Sequence, residues 1–211
     1  MKGIIVTGIH TDVGKTRVAA AVAAGLGWPY WKPVQTGTPT DTEMVRSWGL
    51  SVYPERYRLA LPAAPLVAAQ AEGVFIDWEA LCAPPPAEPI VIEGAGGLFV
   101  PVTKEHFLID LFAHWGYPVL LVVRPYLGAM NHTWLSLYAL RARGLSVLGI
   151  ILNGTQGDLS EDYFRSTFTP LGEFPWSEVR FEPQKAFVES GLAETLPDLI
   201  RLSERSGHSA Q

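Results

Sequence analysis

The segment 8–16, GIHTDVGKT, combines residue types that bind phosphate, and it lies between a strand-like apolar run and a helix-like run. Gly14 allows the backbone to approach an anion closely, and the unpaired amides of a first helical turn point towards phosphate oxygens. Lys15 is expected to reach the outer phosphates, and the Thr16 hydroxyl is expected to ligate Mg²⁺. The interval between Gly8 and Gly14 is one residue longer than in the common phosphate loop. The context still favours phosphate binding over an ordinary turn.

A second lysine, Lys32, follows a short apolar run in the segment 31–37, WKPVQTG. The chain has five lysines and eleven arginines, and a lysine at an apparent site in such a chain indicates that a compact point charge is needed there. The carboxyl ends of parallel strands converge on one crevice, so Lys32 could face the same phosphates as Lys15. Spacing alone leaves open the alternative that Lys32 is a solvated charge at the sheet edge.

A carboxylate ends another apolar run in the segment 90–97, IVIEGAGG. Phosphate-loop enzymes place a metal-holding acid at the end of a buried strand, and the glycines after Glu93 let the chain pass close to a ligand. A lone glutamate after a strand is often only a helix cap. Because a phosphate loop is present in the same chain, we favour metal binding for Glu93.

Alternating strands and helices must position these residues. Helices are predicted at 15–26, from Thr40 onward and at 131–143. Thr40 and Glu43 form a capping box at the start of the second of these helices. Apolar runs predict strands at 3–7, 30–34, 89–93, 118–123, 146–152 and 171–174, and the Pro- and Ala-rich segment 50–89 is expected to form short helices and rigid loops. Consecutive apolar residues are typical of strands covered on both faces. The prediction is an α/β fold: a doubly wound, mostly parallel sheet flanked by helices, as in P-loop NTPases, in one domain over 1–211 with a disordered tail from 205.

Composition excludes several other classes of protein. The 211 residues carry a formal net charge of -5, and a nucleic-acid binder would usually show a basic field instead. Cys82 is the single cysteine, which excludes an internal disulfide and a multi-cysteine metal cage. The N-terminal apolar run is too short for a signal peptide or a membrane span. We expect a soluble protein of a reducing compartment, the cytoplasm.

Six motifs in order resemble those of the dethiobiotin synthetase family. The first three are the segments described above, which are similar to the family's GTDTEVGKT, its Lys-Pro-Val-x-Ser/Thr-Gly and its VEGAGG motifs. The others are LGAMNHT at 127–133, GIILN at 149–153 and GEFPW at 172–176. The resemblance runs from residue 3 to about residue 183 and is specific because the order of all six is kept.

The resemblance implies an ATP-dependent ring closure that joins 7,8-diaminopelargonate and CO₂ into dethiobiotin. A substrate carbamate would attack the γ-phosphate, and the second amine would close the ring from the mixed anhydride. Mg²⁺ and ATP are the implied cofactor and co-substrate, and a homodimer is the implied assembly, with no nucleic-acid or membrane partner.

The family's functional residues carry over onto matching positions. Thr11, Lys15 and Lys32 are expected to act on the transferring phosphoryl group. Thr16, Asp41 and Glu93 are expected to hold Mg²⁺. The substrate is expected to contact Thr36 and, across the dimer interface, the segment with Leu127, Gly128 and Asn131. The residues expected to bind the nucleotide and its metal are Asp12, Val13, Gly14, Lys15, Thr16, Arg17, Asp41, Glu93, Gly94, Ala95, Gly96, Asn153, Gly154, Pro175, Trp176, Ser177 and Glu182.

The chain departs from the family at three places. Asp12 stands where the family usually has glutamate, and His10 replaces a small polar residue. The stretch after Gly37 is short, so the metal acid is either Asp41 or Glu43, and an acid at Asp41 also suits a helix N-terminus without any metal.

A nucleotide switch of the partitioning or cell-division type is the main alternative, because it shares the sheet and the deviant loop. Those ATPases carry a second lysine four residues before the loop's Gly-Lys, where this chain has His10. They also need a DNA- or membrane-binding surface, which an acidic chain without a basic amphipathic tail lacks. An amide-forming synthase on a corrin precursor would usually add a glutaminase domain, for which 211 residues leave no room.

Overall fold

The computed structural model describes residues 2–155, 157, 159–175 and 181–207, which form nine strands and nine helices. The strands are β1 (Gly3–Gly8), β2 (Tyr30–Trp31), β3 (Val34–Thr36), β4 (Val52–Tyr53), β5 (Tyr57–Leu59), β6 (Ile90–Glu93), β7 (Val119–Val123), β8 (Val147–Thr155) and β9 (Gly172–Pro175). The helices are α1 (Lys15–Leu26), α2 (Asp41–Ser47), α3 (Pro65–Glu72), α4 (Trp78–Cys82), α5 (Leu108–Trp115), α6 (Ala129–Ala142), α7 (Leu159–Phe168), α8 (Pro183–Glu189) and α9 (Leu192–Gly207).

Seven strands form one parallel sheet in the order β4-β2-β6-β1-β7-β8-β9. The central strands β1, β6 and β7 are buried along their whole length, as expected for strands with helices on both faces. The predicted fold class, a doubly wound parallel sheet flanked by helices, is confirmed. Because the strands are parallel, the ends of β1, β2 and β6 that carry the sequence motifs lie at one edge of the sheet.

Helix α1 follows the phosphate loop and packs against β1, β6 and α8. Residues 18–23 of this helix, VAAAVA, are all buried, and their small side chains allow close approach to the sheet. Gly27 ends the helix in a left-handed conformation, with φ 67°, and its N–H bonds back to the last turn. The predicted bounds of α1 and the capping box of α2 are both confirmed.

Other elements differ from the sequence prediction. The run predicted as one strand at 30–34 divides into β2 and β3, since Pro33 lies between them and has no N–H for a sheet. Strand β3 instead pairs with β5 in a separate two-stranded parallel sheet. Strand β8 continues to Thr155, past the predicted end at residue 152, and so carries Asn153 and Gly154.

Several elements were not predicted. Strands β4 and β5 lie in the segment expected to form only short helices and loops, and helices α5, α7, α8 and α9 were missed. Helix α9 runs to Gly207 and therefore includes 205–207, which were expected in a disordered tail. No described helix is long and apolar enough to cross a membrane.

Candidate active site

The phosphate loop connects β1 to α1, and its backbone is shaped for an anion. Gly14 precedes the first helical residue with φ 87°, and no side chain caps this helix end, so the first-turn amides stay available to a ligand. A Cβ at Gly14 would lie 2.0 Å from Nδ2 of Asn153, so only glycine fits. Asp12 adopts the left-handed region as well, with φ 59°. The loop thus presents backbone N–H groups at the edge of the sheet.

A cleft of about 860 Å³ opens above the loop and gathers groups from separate strands. Its floor is the loop and α1, and the carboxyl ends of β2 and β6 supply Lys32 and Glu93. The segment 62–65, with Pro62 and Pro65, forms part of its wall. The predicted site residues that line this cleft are Thr11, Asp12, Gly14, Lys15, Thr16, Lys32, Thr36, Asp41, Glu93, Ala95 and Gly96.

Lys32 is the centre of a buried charge network. Its side chain is only 7% exposed, and its ammonium donates to Asp41 Oδ2 and to Glu93 Oε1, the latter at 3.1 Å. Burial alone would lower the pKa of Lys32, but the attraction of Glu93 and Asp41 outweighs burial and raises the pKa. Lys32 is therefore a buried, charged group in the phosphate cleft, and the alternative of a solvated edge charge is wrong.

Lys15 lies in the same cleft, is also buried, and donates to the carbonyl oxygen of His10 at 3.0 Å. Burial lowers the pKa of Lys15 to about 8; the attraction of Glu93 opposes this shift and the ammonium of Lys32 adds to it. Two lysine side chains thus converge at the mouth of the phosphate loop. An entering polyphosphate would supply the negative charge that Lys15 lacks there.

The hydroxyl of Thr16 and the carboxylate of Glu93 are arranged as two ligands of one Mg²⁺ would be. Thr16 Oγ1 donates to Glu93 Oε1 at 2.9 Å, and neighbouring ligands of an octahedral Mg²⁺ lie about 2.9 Å apart when each bond is about 2.0–2.1 Å. In the described part of the chain no three His, Cys, Asp or Glu residues are grouped to hold a metal. A Mg²⁺ here would have few protein ligands and leave the rest to phosphate and water, as this ion prefers.

The structure separates the two candidate metal acids on α2. Asp41 lines the cleft and meets Lys32, and its N–H donates to Gln35 Oε1 at 3.2 Å. Glu43 instead completes the capping box with Thr40 and pairs with Arg58 at 2.8 Å on the surface. This arrangement favours Asp41 over Glu43 as the metal acid.

A smaller pocket of about 220 Å³ adjoins the loop at the carboxyl ends of β8 and β9. Arg17, Asn153, Pro175 and Glu182 line it, all of them predicted nucleotide contacts. Asn153 Nδ2 also donates to the carbonyl of Val13 at 2.8 Å, which ties β8 to the phosphate loop. Trp176 and Ser177 lie outside the described residues.

The remaining predicted residues do not line the main cleft. Val13 is buried beneath the loop, and Gly94 passes the core so closely that a Cβ would lie 2.7 Å from Phe112. Gly154, with φ 78°, lies beside Arg124. The segment with Leu127, Gly128 and Asn131 is exposed at the start of α6.

Sequence reasoning missed several groups that support this site. Tyr30 donates to Glu93 Oε2 at 2.8 Å, and Gln35 orients the N-terminus of α2 through Asp41. Phe181 lines the smaller pocket beneath the guanidinium of Arg17, which lies 4.7 Å from the ring centre. At the start of α6, the His132 ring hydrogen-bonds the Tyr126 hydroxyl at 2.5 Å. No spacing rule in the sequence marks these contacts.

The parallel sheet, the glycine-lysine-threonine loop at the start of α1 and the acid at the end of β6 define a P-loop NTPase. Solved structures agree on the fold. The septum site-determining protein MinD of Pyrococcus horikoshii, complexed with Mg-ADP, matches with TM-score 0.58 and 17% identity, covering 100% of this chain and 99% of that chain. The ParA family ATPase of Chlorobium tepidum matches with TM-score 0.57 and 13% identity over 93% and 97% of the two chains. At these identities the likeness shows the fold alone.

Sequence comparison identifies the family. An AAA domain family model matches residues 2–183. The ATP-dependent dethiobiotin synthetase BioD of Rhodopseudomonas palustris (strain TIE-1) is 48% identical over 164 residues, which are 75% of this chain and 77% of that protein. The protein of the same name from Bradyrhizobium sp. (strain BTAi1) is 46% identical over 184 residues, 82% and 87% of the two chains. The chain belongs to the ATP-dependent dethiobiotin synthetase family, whose members are ATP-dependent ligases.

Proposed function

We propose that this protein closes the ureido ring of dethiobiotin from 7,8-diaminopelargonate, CO₂ and ATP. One amine of the substrate adds CO₂ and loses a proton to give a carbamate. A carbamate oxygen attacks the γ-phosphorus, and the bond to the bridging oxygen of ADP breaks. The second amine then attacks the carbonyl carbon of the mixed anhydride, inorganic phosphate leaves, and the amine proton is released. The family to which the chain belongs supports this reaction.

The placement of Lys32 is the observation that carries this proposal. Its ammonium is buried in the phosphate cleft, held by Glu93 at 3.1 Å and by Asp41, and opposite the loop that carries Lys15. Negative charge that develops on a transferring phosphoryl group would meet two fixed ammonium groups and the loop amides. Preorganised donors of this kind lower a barrier without reorganisation during the reaction. No covalent enzyme intermediate is needed, so orientation and charge neutralisation are the protein's main contributions.

We infer that the hydroxyl of Thr16 and the carboxylates of Asp41 and Glu93 hold Mg²⁺ with the nucleotide. When bound, Mg²⁺ neutralises charge on the outer phosphates. The converging oxygen atoms and the 2.9 Å separation between Thr16 Oγ1 and Glu93 Oε1 support this assignment. Thr11 lies at the rim of the same cleft, where its hydroxyl would donate to the γ-phosphate or the carbamate.

We also propose that two copies pair so that the start of α6 reaches the partner's cleft. Leu127 is 103% exposed and Gly128, at the N-cap of α6, has no side-chain cap, so the free amides there suit the carboxylate tail of the substrate. Thr36 in the cleft would contact the other end of the substrate. Large apolar side chains that the single chain leaves exposed nearby are Phe99, Leu135 and Tyr138, and such a patch is typical of an interface. Leu127→Asp should shift the protein from dimer to monomer in light scattering and raise the KM for the diamine, whereas an unchanged dimer would argue against this interface.

We propose further that the chain works as one α/β domain in the cytoplasm. A single sheet carries the loop, Lys32 and Glu93, so one core positions these three parts of the site. Cys82 is a buried free thiol, which suits a reducing compartment. Cell fractionation with an antibody to the protein would test the compartment.

The direct test mixes purified protein with Mg-ATP, bicarbonate and 7,8-diaminopelargonate. One phosphate should be released for each dethiobiotin detected by mass spectrometry, and omission of the diamine should abolish turnover. Absence of dethiobiotin under these conditions refutes the proposal. ATPase activity that DNA or lipid vesicles stimulate and the diamine leaves unchanged would point to the partitioning type of ATPase instead.

A further inference from the structure

Tyr30 is a buried tyrosine at the start of the two-residue strand β2, next to the site but outside the cleft lining. Its hydroxyl donates to Glu93 Oε2 at 2.8 Å. Strand β2 pairs with β6 so that Tyr30 lies opposite Val91, and Glu93 ends β6 two residues later. The contact is therefore built by the register of two core strands rather than by a mobile loop.

The two oxygens of Glu93 have different partners. Oε1 accepts from Thr16 at 2.9 Å and from Lys32 at 3.1 Å, and both of these groups line the cleft. Within the described residues, the hydrogen bond that Oε2 accepts comes from Tyr30. The carboxylate is thus held from both sides, and its rotation is restricted with Oε1 towards the cleft.

We propose that Tyr30 is a positioning residue, which holds Glu93 so that Oε1 stays directed at Thr16 and at the metal of the nucleotide complex. The inference rests on the proposed role of Glu93 in holding Mg²⁺. Hydrogen bonds from behind a metal-binding carboxylate fix its orientation, and loss of such a partner typically costs about 10–100-fold in metal affinity or activity.

The test compares Tyr30→Phe with Tyr117→Phe. Tyr117 also donates to a glutamate, Glu88 at 2.6 Å, but this pair lies outside the cleft, so its variant controls for the loss of one Tyr–Glu hydrogen bond. ADP binding is measured by calorimetry without metal and during Mg²⁺ titration, and kcat and KM for Mg-ATP are measured in parallel. Tyr30→Phe should bind metal-free ADP as the natural protein does. It should need about tenfold more Mg²⁺ to reach the same Mg²⁺-dependent increase in ADP affinity. Tyr117→Phe should match the natural protein in its metal-free ADP affinity and in its Mg²⁺ dependence.

The outcomes separate this inference from the proposed function. If the natural protein shows no Mg²⁺-dependent gain in ADP binding, the metal site itself is refuted, and the role of Tyr30 with it. If the natural protein shows the gain and Tyr30→Phe keeps the same Mg²⁺ dependence, only the positioning role is refuted. In a Glu93→Gln background the effect of Tyr30→Phe on Mg²⁺ dependence should disappear, because Tyr30 acts through that carboxylate; an undiminished effect would overturn the inference.

A second measurement does not need the Phe variant to fold. With 3-fluorotyrosine incorporated only at position 30, the ¹⁹F resonance should move when Mg²⁺ is added to the ADP complex and should not move when ADP is added alone. An identical spectrum before and after Mg²⁺ addition would overturn the inference.

Discussion

Nucleotide affinity should fall steeply as the pH rises above about 8, because Lys15 loses its proton in the empty site. Burial lowers the pKa of Lys15 to about 8, whereas bound phosphates would keep the ammonium charged. Below pH 8 the lysine already carries the charge that ADP needs. Above pH 8 a proton must be taken up on binding, so the apparent Kd rises by a factor approaching ten per pH unit. Between pH 7 and pH 9 we expect about a tenfold weakening.

Isothermal titration of ADP at pH 7, 8 and 9, in buffers of different ionisation enthalpy, measures both the Kd and the protons taken up. Uptake should approach one proton per ADP at pH 9 and be close to zero at pH 7. Lys32 should not contribute, since the attraction of Glu93 and Asp41 raises its pKa despite burial. Lys15→Arg is the matched control: its guanidinium stays charged across this range, so its affinity should be independent of pH even if weaker. A natural protein whose ADP affinity is the same at pH 7 and pH 9 would show that Lys15 keeps its proton in the empty site.

Substitutions at the metal acid and in the phosphate loop should have effects that matched variants lack. Asp41→Asn should raise the Mg²⁺ concentration needed for turnover by about 10-fold or more. Glu43→Gln should leave this concentration unchanged and reduce only the stability of α2. Equal effects of the two variants in Mg²⁺ titrations would contradict the choice of Asp41 as the metal acid. Gly14→Ala should abolish ADP binding and lower the free energy of unfolding more than Gly49→Ala, in urea titrations. Gly14 and Gly49 both have a positive φ, 87° and 85°. A Cβ at Gly14 would collide with Asn153, whereas a Cβ at Gly49 would have nothing within 4 Å. Gly49→Ala should therefore lower the free energy of unfolding by only about 1–2 kcal/mol. Equal losses in the two variants would mean that the contact with Asn153 does not matter.

The phosphate loop could be predicted from sequence because its parts are adjacent along the chain. Gly14, Lys15 and Thr16 lie at the start of α1, and the preceding strand ends at Gly8, so short-range order alone builds the loop. Lys32 and Glu93 required one further principle, that the ends of parallel strands meet. The sequence left open whether Lys32 is solvated, and the structure answers it through the burial of Lys32 beside two carboxylates.

Features that depend on distant pairing could not be predicted. A tyrosine in an apolar strand indicates only a core position, and the contact between Tyr30 and Glu93 exists because β2 pairs with β6 in one particular register. The choice between Asp41 and Glu43 likewise depends on Arg58, which arrives on β5 and draws Glu43 to the surface. Such contacts are tertiary, and local patterns do not encode them.

The helices that were not predicted begin with weak or isolated sequence signals. Helix α5 follows Phe107, which is not a usual cap residue, and its start is marked only by Asp110, which accepts from the Phe107 N–H at 2.8 Å. Helix α8 did carry a signal, since Pro183 occupies its first turn. Proline at that position favours a helix start.

Single-turnover and steady-state kinetics of Lys32→Ala test whether Lys32 stabilises the transferring phosphoryl group. At saturating Mg-ATP, kcat should fall by about 10²–10³ while the Kd for ADP changes little, and Lys104→Ala, at an exposed lysine outside the cleft, should behave as the natural protein does. Lys15→Ala should impair both binding and turnover. A Lys32→Ala protein that binds ATP poorly but turns over normally once saturated would contradict this role, because Lys32 would then serve ground-state binding alone.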